Sequence, residues 1–181
     1  MNSLSGIEQK GLVHLYTGGG KGKTTAAAGL AVRAMGAGKA VLFCQFLKGS
    51  ESSELKGLET LGSKIIRAKK CEKFIFQMNQ EELEQLKQDH EECFAEIERL
   101  ILSDGIDVAV LDEAVDAVNL GLIREDRLLD LIAARPAHME IVITGHEPGE
   151  NIKYAADYET DFVCVKHPFH NGIAARRGIE Y

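Results

Sequence analysis

The stretch Thr17-Gly18-Gly19-Gly20-Lys21-Gly22-Lys23-Thr24-Thr25 decides the fold class of this chain. It follows an apolar run, Leu12-Val13-His14-Leu15-Tyr16, and precedes a helix-forming run from Ala26 to Met35. Strand, glycine loop and helix in that order read as a phosphate-binding loop. The residue types suit the task. Glycines let successive backbone N–H groups turn inward around a polyphosphate. The following helix points its positive N-terminal end at the same anion. Lys23 supplies a mobile charge for phosphate oxygens, and Thr24 offers a hydroxyl to Mg2+. The strict pattern G-x-x-x-x-G-K-[ST] has glycine where Thr17 stands, so this loop is a variant. The competing reading, a glycine-rich turn that only joins strand to helix, leaves the lysine and the hydroxyl unexplained.

A second signal lies downstream. Ile106-Asp107-Val108-Ala109-Val110-Leu111 is a short apolar run that ends in Asp112-Glu113. Fully buried parallel strands read this way. An acid at the carboxyl end of such a strand lies near a phosphate loop. Asp112 is thereby a metal candidate together with Thr24, and Glu113 a candidate to orient a nucleophile or bond a substrate hydroxyl. Acids are also favoured at helix N-termini, so the pair gains its meaning from the loop.

The chain has 181 residues, 45% hydrophobic and 27% charged, which fits one ordinary globular domain spanning 1–181. A net charge of −7 argues against nucleic acid as a partner. Any anionic ligand has to be held by local groups such as Lys21 and Lys23. Cys44, Cys71, Cys93 and Cys164 form no C-x-x-C pair and read as reduced thiols of a cytoplasmic protein. Met1–Lys10 is short and polar, unlike a signal peptide, and no stretch approaches the ~18 apolar residues of a membrane span.

Strands are predicted near Leu12–Tyr16, Ala40–Phe46, Lys64–Ala68, Asp107–Leu111, Met139–Thr144 and Phe162–Val165. Helices are predicted near Thr24–Ala37, Glu54–Leu61, Gln80–Leu102, Arg124–Ala134 and Gly149–Ala155. This alternation implies a three-layer α/β fold, a mostly parallel sheet with helices on both faces. The long third helix has Leu83, Leu86, Phe94, Ile97 and Ile101 near helical spacing, with its acids facing solvent. His90 and Cys93 stand three apart on it, spaced either for a metal or for a half-buried face. Ligands of such sheets bind beyond the carboxyl ends of the strands. That rule selects the glycine loop, Lys48-Gly49-Ser50, Asp112-Glu113 and Gly145-His146-Glu147.

Taken together, these loops resemble the P-loop type of ATP:corrinoid adenosyltransferase, the cobalamin adenosyltransferase family. The likeness runs from about Gly11 to Tyr181. The loop with Thr17 first looks like the family's own variant, and Arg33-Ala34-Met35-Gly36 and Gly38-Lys39 follow at its spacing. Gln45-Phe46-Leu47-Lys48-Gly49, Val110-Leu111-Asp112-Glu113, Arg135-Pro136 and Ile143-Thr144-Gly145 continue it. The tail is the most family-specific part: Lys166-His167-Pro168-Phe169, Gly172-Ile173 and Gly178-Ile179-Glu180-Tyr181.

The resemblance implies a P-loop NTPase-like, RecA-like fold and a particular reaction. The Co(I) of a reduced corrinoid, cob(I)alamin or cob(I)yrinic acid a,c-diamide, attacks C5′ of ATP and displaces triphosphate. It implies Thr17, Gly18, Gly19, Gly20, Lys21, Gly22, Lys23, Thr24, Thr25, Arg33, Lys48 and His146 as nucleotide contacts, and Lys23, Thr24 and Glu113 as catalytic. Thr24 and Asp112 hold Mg2+ or Mn2+ on this reading. Phe74 and Phe76 match an aromatic pair that wedges against the lower corrin face; alternate residues of a core strand would look the same. An electron-donating reductase and a homodimer are further implications.

Three departures stand out. The family usually has Arg where His146 stands, and a histidine carries charge only below about pH 6.5 in model peptides. The segment before the first strand is short, and Ala174-Ala175-Arg176-Arg177 carries an additional arginine. Two other readings compete: a P-loop ATPase or small kinase, and a non-catalytic nucleotide sensor. His167 and His170 spell a weak metal pattern that the tail resemblance already accounts for.

Overall fold

The computed structural model describes residues 10–48, 52–68, 77–103 and 105–181. Its strands are β1 (Val13–Thr17), β2 (Val41–Gln45), β3 (Lys64–Arg67), β4 (Val108–Asp112), β5 (Glu140–Thr144) and β6 (Tyr158–Asp161). They form one six-stranded sheet in the order β3-β2-β4-β5-β1-β6. Each pairing is parallel. The helices are α1 (Lys23–Gly36), α2 (Ser53–Thr60), α3 (Gln80–Ile101), α4 (Ala114–Asn119), α5 (Glu125–Ala134) and α6 (Glu150–Ala155).

Side-chain alternation divides the core in two. Val41 and Phe43 of β2, Val108 and Val110 of β4 and Val142 of β5 face one way, toward α1 and α2. Their neighbours Leu42, Cys44, Ala109, Leu111, Ile141 and Ile143 face α3, α4 and α5. Central parallel strands bury both faces, which is why they read as continuous apolar runs. Helix α1 meets the sheet through Ala27, Ala31 and Ala34, small residues that let its backbone lie close.

Helix α3 starts at a capping box, with Asn79 and Glu82 exchanging side-chain to backbone hydrogen bonds. Its buried stripe is Leu86, His90, Phe94, Ile97 and Ile101, with Leu100 beside it. His90 is wholly buried in that stripe. Its ring lies near-parallel to that of Phe46, and Nδ1 donates to Leu86 O at 2.9 Å. Arg127 of α5 ties the two helices together, pairing with Glu91 and Glu98 and lying 5.1 Å from the centre of the Phe94 ring.

Two expectations need correction. The sixth strand is Tyr158–Asp161, not Phe162–Val165. It is an exposed edge strand, and Asp157 at its entrance accepts a hydrogen bond from Val13 N at 2.8 Å. The apolar run after it lies outside the sheet. Helix α4 was not foreseen: six residues are too few for a periodic signal. Pro168–Asn171 form a short 3-10 turn, capped by the half-buried His167 and containing the exposed His170. Among the described residues no helix is long and apolar enough to cross a membrane.

Candidate nucleotide site

The carboxyl ends of β1, β2, β4 and β5 meet along one edge of the sheet. At the end of β1 the glycine loop bends sharply, with Gly18 at φ 96° and Gly22 at φ 125°, where a side chain is disfavoured. The residues after β6 brace it. Gly20 N donates to Phe162 O at 2.5 Å, and a Cβ on Gly20 would come within 2.4 Å of that oxygen. The Gly20 N–H is therefore committed to the protein, one fewer donor for a polyphosphate than the sequence suggests. Lys23 Nζ donates to Gly18 O at 2.6 Å and Gly20 O at 3.3 Å, and stands 3.2 Å from His146 Nε2. Partial burial lowers the Lys23 pKa, against the pull of Asp116, Glu113, Asp112 and Asp161.

Thr24, at the start of α1, donates from Oγ1 to Asp112 Oδ1 at 2.9 Å. Asp112 is wholly buried, accepts two more hydrogen bonds and pairs with one ammonium. Thr144 Oγ1 reaches Oδ1 at 2.8 Å, Gln45 Nε2 reaches Oδ2 at 3.1 Å and Lys48 Nζ lies 3.3 Å from Oδ2. Lys48 also donates to Thr24 Oγ1 at 3.2 Å and to Glu54 Oε1 at 3.1 Å. Burial works against its charge, yet Asp112 and Glu54 outweigh this and raise its pKa. A hydroxyl and a buried carboxylate side by side are hard oxygen donors of the kind Mg2+ takes. That they already draw the Lys48 ammonium shows that the pocket favours a cation.

Glu113 follows in the left-handed region, φ 63°, with its N–H donated to Thr144 Oγ1 at 2.9 Å. Burial, then the neighbouring Asp112 charge, push its carboxyl up to about 7. The β5 loop carries His146, whose Nδ1 lies 2.9 Å from Asp116 Oδ1 of α4. Lys21 points to the tail and donates to Glu180 Oε1 at 2.9 Å; Arg176 holds the same carboxylate. Ser53 Oγ donates to Tyr181 O at 3.0 Å, so residues 176–181 lie across the loop and the start of α2.

These groups surround one cleft of about 530 Å3, lined by Gly20 through Thr25, Lys48, Glu113, Thr144, His146 and the tail. Thr17 and Gly18, at the end of β1, do not line it, and neither does Gly19, which has open space around it. Arg33 does not join them. It is exposed on the last turn of α1, ten residues past Lys23 and about 15 Å along the helix. Phe74 and Phe76 lie outside the described residues, as do Gly49 and Ser50. Sequence reasoning missed Asp116 as a site residue, and did not assign Gln45 and Thr144 to the aspartate. An acid four residues after Asp112 was the one available signal for Asp116.

A parallel sheet with a lysine-bearing glycine loop on one strand and a buried aspartate meeting its threonine from another defines a P-loop nucleotide-binding protein. A family profile described as ATP:corrinoid adenosyltransferase BtuR/CobO/CobP matches residues 9–181. The corrinoid adenosyltransferase CobA of Salmonella typhimurium is 33% identical, over 96% of this chain and 87% of its own. That of Pseudomonas aeruginosa is 31% identical over 96% and 85%, and that of Escherichia coli K12 30% over 96% and 87%. The chain belongs to the ATP:corrinoid adenosyltransferase family.

Proposed function

We propose that the chain transfers the 5′-deoxyadenosyl group of ATP to the Co(I) of a reduced corrinoid and releases triphosphate. The observation that carries this is family membership over residues 9–181 joined to one cleft lined by Lys23 and Thr24, with the buried Asp112 bonded to Thr24 behind it. The leaving group is a triphosphate, so catalysis is a matter of stabilising developing negative charge. The protein supplies no nucleophile, because the cobalt of the substrate is one. Lys23 leaves the loop carbonyls for phosphate oxygens. The remaining loop N–H groups and the start of α1 hold the same anion. Thr24 and Asp112 are the residues to hold Mg2+, which neutralises triphosphate charge when bound. Lys48 gives up its place beside them and turns to phosphate. Glu113, poised to titrate near neutrality, donates a hydrogen bond to a phosphate or ribose oxygen in its protonated form.

A reductase that delivers an electron to Co(II) completes the scheme, and a homodimer is the working form. Exposed Val163, Val165 and Phe169, beyond the edge strand, support pairing of copies. The test is anaerobic incubation with ATP, Mg2+ and chemically reduced cobalamin. The expected result is the absorbance change of a new cobalt–carbon bond with one triphosphate per adenosyl group. Release of inorganic phosphate alone would mean an ATPase; release of neither would mean a nucleotide sensor.

A further inference from the structure

His146 sits between groups of opposite charge. Its Nδ1 lies 2.9 Å from Asp116 Oδ1, and its Nε2 lies 3.2 Å from Lys23 Nζ. An ammonium can only donate and an ionised carboxylate can only accept. One ring state satisfies both neighbours: neutral, with the proton on Nδ1 and a lone pair on Nε2. The loop that carries the ring is fixed by α4. Asp116 accepts from His146 N at 3.2 Å, and Asn119 Nδ2 donates to His146 O at 2.9 Å. A Cβ on Gly145 would come within 2.5 Å of Val115 Cβ and 2.7 Å of Asp116 Oδ2, so the approach requires glycine there. The ring, 55% exposed, borders the phosphate cleft.

Building on the triphosphate reading above, we propose that Asp116 and His146 form a proton-linked anion clamp. Without ligand, Asp116 fixes the ring and Nε2 holds Lys23. When Lys23 turns to phosphate oxygens, His146 takes a proton from solvent at Nε2 and donates it in a hydrogen bond to the triphosphate. The surrounding charges set the direction. Lys23 faces the ring from the start of α1, Asp116 from α4 and Glu113 from the turn before it; Lys21, Lys48, Glu54, Glu180 and His167 line the same cleft. An imidazolium in the unliganded site would stand 3.2 Å from an ammonium. With triphosphate bound, a polyanion replaces that ammonium at Nε2 while Asp116 remains at Nδ1, and both favour the charged ring. The proton returns to solvent when triphosphate leaves. Asp116 acts through the ring and is a positioning residue.

Calorimetric titration of the full chain with inorganic triphosphate and Mg2+, in two buffers of different ionisation enthalpy at about pH 7.5, counts protons taken up. Wild type is expected to take up several tenths of a proton per site more than His146→Gln. Protonation of triphosphate itself is common to both and cancels in the difference. Asp116→Ala should lose most of that excess. Asp116→Asn, which still accepts from Nδ1 but carries no charge, should keep the melting temperature and lose only part of the uptake. From about pH 8 to pH 6.5, wild-type affinity should gain roughly three- to tenfold over His146→Gln, because uptake on binding strengthens binding as pH falls. Binding with equal uptake in wild type and His146→Gln would overturn the clamp alone. No binding to wild type would overturn the triphosphate reading and the clamp with it.

Discussion

Lys23 carries the sharpest prediction at the scale of single residues. It is the loop's ammonium, and its three neighbours in the cleft, Gly18 O, Gly20 O and His146 Nε2, are all ones it can leave. Lys23→Ala should lower kcat/KM by about 100- to 1,000-fold with circular dichroism unchanged, as removal of a charge-stabilising donor does elsewhere. Activity within a few-fold of wild type would remove its assigned role. His90 gives a pH prediction. Burial lowers its pKa, so the folded chain keeps it neutral while the unfolded chain takes a proton near pH ~6.5. A depressed base stabilises least in acid: stability is full above about pH 6.5 and falls as pH drops below it, by at most about 1.4 kcal/mol per pH unit. His90→Leu should flatten that slope, and parallel melting curves from about pH 7.5 to pH 5 would refute the assignment. Lys23, Thr24 and Asp112 were legible in the sequence because each is announced by its own strand or loop. The Asp116–His146 contact was not, since it joins residues 30 apart through an unforeseen helix. Lys21 lines the cleft and also meets Glu180, a contact across 159 residues that no local pattern encodes.

Elements were legible where burial was two-sided or amphipathic. β2, β4 and β5 announced themselves as apolar runs, and α3 by its stripe. β6 escaped because its residues are exposed throughout, while the more strand-like Phe162-Val163-Cys164-Val165 continues past the sheet. What that segment does instead is brace the glycine loop, and this can be tested. Gly20→Ala places a methyl 2.4 Å from a backbone oxygen, whereas Gly19→Ala meets nothing within 4 Å. The first should destabilise by about 1–3 kcal/mol and weaken ATP binding, the second should do neither to a comparable degree. Thermal denaturation beside nucleotide titration decides it; equal melting temperatures for the two variants would mean that the loop is not held from behind.

For the whole molecule, the cleft predicts a division between transfer and hydrolysis. On the proposed reading its lysine holds phosphate, its threonine and aspartate hold the cation that neutralises it, and cobalt supplies the nucleophile. Phosphate release with ATP and Mg2+ alone should therefore be slow, and triphosphate should appear only when reduced cobalamin is added. Brisk phosphate release without corrinoid would favour the ATPase reading. Self-association has its own test. Val165 is 84% exposed and Val163 69% beyond the edge strand. Sedimentation velocity should show a dimer for wild type and a shift toward monomer for Val165→Asp; an unchanged dimer would move the interface elsewhere. At this scale the sequence conveyed the parallel sheet and its helical layers, but not how the tail returns over the loop, since that depends on contacts between the two ends of the chain.

The position of Lys48 bears on how the protein should be handled at the bench. Its ammonium lies within 3.3 Å of Asp112 and 3.2 Å of Thr24, so the buried carboxylate has a counter-ion that no chelator removes. Purification through EDTA should abolish turnover yet leave the melting temperature where it was, and added Mg2+ should restore the rate. In Lys48→Met the same wash should lower the melting temperature, because Asp112 would then depend on the metal for neutralisation. A lysine of the chain itself thus makes a metal-free preparation a sound starting material.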